Sequence, residues 1–253
     1  SMDILMSVLQ AINKDKFPDC LEAAYSVMPT MYAPSNLKLG VECGVNRSTR
    51  QAFSSGNVNT KLETALKEAW DDPKYWETHP NILISRIKIE VDKAISEAFD
   101  SDGRISIRTI YGLLQGKPYG FMPCNLSAFI LGFVLKEYTE GAYSWSDGIT
   151  NDPLNLDKLK EMVAEIINLQ ITPNSRYKDK YIVAMTPEEK AFNEATSVAF
   201  GIPLNLCTSI EQTRERIRNK MKEYSFPIWT IKEIISDREL KTEPSVINEL
   251  IDD

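Results

Sequence analysis

Histidine is almost missing from this 253-residue chain, which carries His79 and no other. That absence removes most histidine-based relays. Cysteine is sparse as well: Cys20, Cys43, Cys124 and Cys207 lie far apart and never form C-x-x-C, which excludes the usual Cys/His zinc patterns. With no signal sequence ahead of them, they read as reduced thiols of a cytosolic protein. Positive charge is in deficit, with 29 Lys and Arg against 36 Asp and Glu and a formal net charge of −7. The overall field therefore repels phosphate, and any nucleic-acid contact has to be local. Long apolar runs are lacking too. The longest, Leu126 to Leu135, is about half of the ~20 residues that cross a bilayer, so no membrane contact is expected. The hydrophobic share of 43% excludes extended disorder and leaves a globular protein, expected in the cytoplasm, with two or three sub-domains.

Phosphate loops are absent in the same sense. Gly40-Val-Glu-Cys-Gly44 and Gln115-Gly-Lys-Pro carry glycines, but neither fits G-x-x-x-x-G-K-[ST], and Pro118 removes an N–H that a phosphate nest would use. Asp100-Ser-Asp-Gly103 echoes the middle of a calcium loop. The first and twelfth ligand positions would be Ala98 and Thr109, so the end carboxylates are missing and a turn explains it. His79, beside Pro80, reads as a turn residue. No cofactor, no metal and no catalytic residue is expected.

Helix signals make up most of what is present. Thr60-x-x-Glu63 reads as a capping box ahead of Leu62, Ala65, Leu66, Ala69 and Trp70. From Pro80, the residues Ile84, Ile87, Val91, Ala94, Ile95 and Ala98 repeat at three and four, predicting a long amphipathic helix. Asp157 to Leu169 repeats in the same way. Thr186-Pro-Glu-Glu189 is a strong helix start, and that helix stops at Gly201. Ser209-x-x-Gln212 opens another, and Pro227 and Pro244 begin the last two. The Ser-, Asn- and Gly-rich stretch from Ala33 to Asn59 shows no period and reads as an irregular loop. Strand evidence is confined to a short Arg104–Ser106 segment and to Ala142–Ser146, which Asp147-Gly148 turns back through Ile149-Thr150.

In order, the middle reads helix, short strand, helix, helix, hairpin, helix. The expected fold is mainly α, with a winged-helix-like central unit carrying one small β-hairpin and flanked by helical regions. Its expected parts are a helical N-terminal region with an irregular loop (1–79), the winged-helix-like domain (80–170) and a helical C-terminal region (171–253).

In a winged helix that reads DNA, the helix before the wing presents polar side chains to base edges. Here that helix, from Asn125, has Leu126, Phe129, Ile130, Leu131, Phe133, Val134 and Leu135 all round its axis. Exposing four of them would forfeit about 6–12 kcal/mol, at roughly 1.5–3 each. The helix is therefore expected in the core. Gly132 at its middle costs about 1 kcal/mol relative to Ala, which a second backbone packing close would explain. Tyr119, Phe121, Tyr143 and Trp145 are expected to brace the turn and the wing.

The best basic feature is TRERIRNKMK, in which Arg214, Arg218 and Lys222 share a face and Glu211 and Glu215 are placed to pair with them. It makes a DNA-binding winged-helix module, using the wing and this row, the first alternative reading. A second is a stand-alone helical enzyme whose Ala33–Asn59 loop supplies Glu42, Asn46, Arg47 and Arg50 to a pocket.

KPYGFMPCNLSAFILGFVLKEY (Lys117–Tyr138), followed by the YSWSDGIT hairpin, resembles a segment of large bacterial P-loop ATPases of phage-resistance systems, those of BREX type included. There a PPYG turn, an apolar helix and a Y-x-DG hairpin recur beyond the ATPase core. SFPIW at Ser225–Trp229 is similar to an aromatic-proline element further along such proteins. The resemblance covers Ile105 to Thr150 and lacks the ATPase signatures. It implies a non-catalytic interaction or regulatory segment of a larger nucleotide-driven phage-defence ATPase, whose partners are other domains of the parent protein or partner subunits. The opening Ser1-Met2 reads as a cloning remnant, and INELIDD ends straight after an apolar stripe, so the chain is expected to be an excerpt of something longer.

Overall fold

The computed structural model describes residues 2–21, 33–48, 56–140, 143–207 and 210–223. The predicted helices at Pro227 and Pro244 and the SFPIW element lie outside those residues. By internal contacts the chain divides into two compact units, residues 1–192 and 193–253.

In the first unit the helices are α1 (Met2–Lys16), α2 (Pro34–Val45), α3 (Gly56–Ala65), α4 (Lys67–Trp70), α5 (Tyr75–Thr78), α6 (Leu83–Asp102), α7 (Ile107–Gln115), α8 (Asn125–Val134) and α9 (Leu156–Ile171). The strands are β1 (Arg104–Ser106), β2 (Tyr143–Ser146), β3 (Asn151–Pro153) and β4 (Tyr181–Ala184). Helix α10 (Pro187–Phe200) runs across the division, and α11 (Ile210–Met221) belongs to the second unit. The described fold is mainly helical with one small antiparallel sheet. From α6 through β1, α7, α8, β2 and β3 the elements follow the winged-helix order.

Local chemistry sets several boundaries. Gly103, at φ +68, ends α6, with its N–H donating to Phe99 O at 3.1 Å. The Ser106 hydroxyl caps α7 by accepting from Thr109 N at 3.1 Å, and Asn155 Oδ1 caps α9 through Lys158 N at 2.9 Å. Thr186 and Glu189 form a reciprocal capping box at α10: Glu189 N donates to Thr186 Oγ1 at 3.2 Å, and Thr186 N to Glu189 Oε2 at 2.9 Å.

The core forms around α8, all ten of whose residues are buried. As expected, this helix lies in the core. Helix α2 lies along it, and α9 and α6 also pack against it. Glycines make the α2–α8 approach. A Cβ on Gly132 would strike the Val41 carbonyl, one on Gly44 the Phe129 carbonyl, and one on Gly40 would come within 2.7 Å of Asn125 O. The backbone expected beside Gly132 is therefore α2. Around Phe133 the rings of Trp70, Phe129 and Tyr75 gather at centroid distances of 6.2, 6.2 and 5.4 Å.

Four expectations are corrected. The stretch from Ala33 to Asn59 is not an irregular loop, because α2 occupies Pro34–Val45 and α3 starts at Gly56. Its buried face is Leu37, Gly40, Val41, Cys43 and Gly44, a helical spacing concealed by glycine. Thr60 is no N-cap: α3 begins four residues earlier, and the Thr60 carbonyl accepts from the Thr64 hydroxyl at 2.8 Å. The apolar stripe that follows is broken at Leu66 into α3 and α4, although Leu62, Leu66 and Ala69 are all buried. Ile149-Thr150 is not the return strand either. The Asp147 carboxylate accepts from Ile149 N at 2.9 Å and Thr150 N at 2.8 Å, so the turn takes four residues and pairing resumes at Ser146↔Asn151.

The fourth correction concerns the sheet, whose order is β1-β4-β2-β3. Strand β4, unforeseen, lies between β1 and the hairpin. Ile105, Ile182 and Trp145 form one cross-strand row and are all buried. Tyr119 and Phe121 are buried at the turn before α8, and Tyr143 contacts Tyr138 and Phe99 at 4.7 and 5.8 Å between centroids.

Candidate functional site

Among the described residues, Lys88 is the one charged side chain that is buried. This lysine sits on the inner face of α6 and is only 2% exposed. Its Nζ lies 2.9 Å from Asp92 Oδ1, one helical turn along, and 3.0 Å from Glu137 Oε2 on the 3₁₀ turn Lys136–Thr139. The same ammonium stands 4.9 Å from the Trp76 ring and 5.1 Å from that of Tyr138, whose hydroxyl donates to Asp92 Oδ1 at 2.9 Å. Both carboxylates keep about a third of their side-chain surface in water, which lowers the cost of burying the pair. With an acid on each side and a ring on the other two, the ammonium acts as a pin. It fixes the 3₁₀ turn after α8 onto α6.

Tyr75, fully buried beside this cluster, has a hydroxyl with no hydrogen-bond partner among the described residues. Burial drives its pKa well above that of an ordinary phenol, and the Glu137 and Asp92 charges add to the rise, against Arg47. The phenol stays protonated at neutral pH.

The residues of the enzyme reading do not converge. Glu42 Oε2 pairs with Lys160 Nζ of α9 at 2.9 Å, a bond that raises the lysine's pKa. Arg47, in the left-handed region at φ +51, turns away to donate to Trp70 O at 3.2 Å and to cover the rings of Phe133 and Tyr75 at 5.5 and 5.9 Å. Asn46 is exposed, and Arg50 lies outside the described residues. His79 is exposed just after α5, where its backbone N–H donates to Tyr75 O at 2.8 Å. Among the described residues no three of His, Cys, Asp and Glu gather in a way that could hold a metal ion. No described helix is long and apolar enough to cross a membrane.

In the second unit, α11 buries Thr213, whose hydroxyl bonds Asn193 Oδ1 at 2.7 Å, and half-buries Ile217 and Met221. Arg214 and Arg218 point outward from it, and Lys222 follows just past its end, also exposed. Among the described residues neither arginine makes an ion pair, and Glu215 does not engage them as its spacing predicted. Lys222 Nζ reaches only Asn219 Oδ1, at 3.3 Å. The three cations are displayed together, and the Glu211 side chain, also expected to pair with them, lies outside what the structure describes.

One surface escaped the sequence reading altogether. Helix α1 buries nothing, and its large apolar residues Met2, Ile4, Leu5, Met6, Val8, Leu9 and Ile12 stay 45–73% exposed. The signal was present as a 3-4-3 spacing of Met2, Leu5, Leu9 and Ile12. Compared with protein-family models, with curated proteins and with solved structures, the chain matches none.

Proposed function

We propose that this chain is a non-catalytic interaction and regulatory segment of a larger nucleotide-driven machine, a cytoplasmic phage-defence ATPase, in which the winged-helix elements serve as scaffold. One observation carries the reading: the helix in the recognition position is enclosed on all sides and held to α2 by Gly40, Gly44 and Gly132. A unit built this way works by holding other faces in place. The resemblance of Lys117–Thr150 to such ATPases supplies the kind of machine. The encoding reading frame tests it. A P-loop upstream in the same frame supports the proposal, whereas a frame that starts at Met2 and stops after Asp253 overturns it.

A second reading has its own support. Among the described residues Arg214, Arg218 and Lys222 are exposed without acidic partners, the arrangement needed to meet a DNA backbone. Three phosphate contacts give a slope of about −2.7 in log affinity against log salt, so duplex binding should fall about 40-fold between 50 and 200 mM salt. A duplex titration at those two salt levels decides it, and a flat response rejects the row as a DNA contact.

A further inference from the structure

We infer that α1 is a self-association element through which two copies of this chain pair antiparallel. Phe17, one residue beyond α1, packs against Gly120 in the turn before α8, where φ is +65 and a Cβ would strike the Phe17 ring. Two residues further, Asp19 pairs with Arg86 of α6 at 3.0 Å, and its N–H donates to Pro118 O at 3.2 Å. The base of α1 is thus fixed to the core, while the fifteen residues of the helix itself bury nothing. Seven large apolar side chains on about 22 Å of helix form a contiguous patch of the kind that marks a protein contact.

The pattern identifies the occupant. Met2, Leu5, Leu9 and Ile12 follow the spacing of a two-helix seam. In an antiparallel pair centred on Ser7, Met2 lies opposite Ile12 and Leu5 opposite Leu9, so the seam is complementary to itself. Charge selects the same partner and orientation. The first turn carries Asp3, and the last turn Lys14 and Lys16 with Asp15 between them, which leaves that end net positive. Antiparallel copies bring acid to base at both ends and oppose the helix dipoles, whereas parallel copies set like charges together. Such a contact is isologous and closes as a dimer.

Light scattering over a concentration series tests this on the whole chain. The expected mass is twice 28.7 kDa, falling to 28.7 kDa for Leu5→Glu/Leu9→Glu. Compared at a concentration where both chains are monomers, that variant should keep the wild-type melting temperature, since neither side chain is buried within one chain. Asp3→Lys should weaken the dimer several-fold, and Asp3→Lys/Lys14→Asp/Lys16→Asp should restore it. The inference fails if the wild-type chain stays at 28.7 kDa throughout, or if Leu5→Glu/Leu9→Glu still dimerises. It fails equally if the chain stays monomeric and its α1 instead binds phosphatidylcholine vesicles. An Asp3→Lys chain that dimerises as tightly as wild type overturns the antiparallel arrangement.

Discussion

Replacing Gly132 by alanine should destabilise the first unit, although the same change usually strengthens a helix. In mid-helix, Gly→Ala gains about 1 kcal/mol of propensity. Against that, the new methyl would lie on the Val41 carbonyl oxygen, with the Val41 C and Cα both at 3.0 Å. Both partners are backbone, so no side chain can swing aside, and the two helices have to part by about 1 Å. A gap of that size forfeits a quarter to a half of the dispersion energy of the atoms along it. Overpacking of this kind costs about 3 kcal/mol at the upper end of its usual range, leaving a net loss of about 2 kcal/mol. Gly112, exposed in α7 with nothing within 4 Å of a Cβ, is the control, and its alanine variant should gain up to about 1 kcal/mol. Urea unfolding followed by tryptophan fluorescence suits the comparison, because three of the four tryptophans, Trp70, Trp76 and Trp145, lie in the first unit. With a slope of about 2–3 kcal/mol/M, the two midpoints should separate by roughly 1 M, one on each side of wild type. If Gly132→Ala proves as stable as wild type or more so, the glycine-mediated contact between α2 and α8 is wrong.

Three further outcomes follow from the same structure. Lys88→Met should cost about 3 kcal/mol, the low end for a broken buried pair because Asp92 and Glu137 keep some water, and adding Asp92→Asn and Glu137→Gln should recover most of it in urea unfolding. Arg214→Ala/Arg218→Ala should leave the melting temperature within a degree or so of wild type, since exposed cations without partners contribute little to stability, and under the DNA reading it should also flatten the salt slope by about 2. Burial raises the pKa values of Tyr75, Tyr111 and Tyr138, and pushes that of Tyr177 up to about 12. A folded-state pKa above the unfolded value of about 10 means the stabilisation is complete below pH 10 and is lost as pH climbs toward the folded values. Urea midpoints measured from about pH 9 to pH 11 should therefore fall. A constant midpoint would show these phenols to be accessible.

Legibility followed the strength of apolar periodicity. Helix α6, with Ile84, Ile87, Val91 and Ile95 inward, could be read because its stripe is made of large side chains. Helix α8 could be assigned to the core because it has no polar face. Helix α2 was unreadable for the opposite reason: it buries Gly40 and Gly44, and glycine counts as a helix breaker until a neighbouring backbone is known to need the space. Strand β4 has four residues, too few for a period, and its place between β1 and β2 is a long-range fact. The basic row was legible as a face of α11. Its lack of acidic partners among the described residues was not, because spacing alone predicted the Glu215 pairs. The Lys88 pin joins α6 to residues nearly fifty positions away, and no local pattern announces such a pairing.

Placing Tyr181–Ala184 between Arg104–Ser106 and the hairpin has a consequence for how this molecule can be cut. Severed at residue 170, the polypeptide would keep both halves of its sheet but lose the seam that sews them together. Two raw edges would then be open to any passing chain, so the shorter piece should precipitate where the longer one stays clear. The hairpin is equally unable to flap on its own: to swing, it must drag along a thread spun some forty residues later.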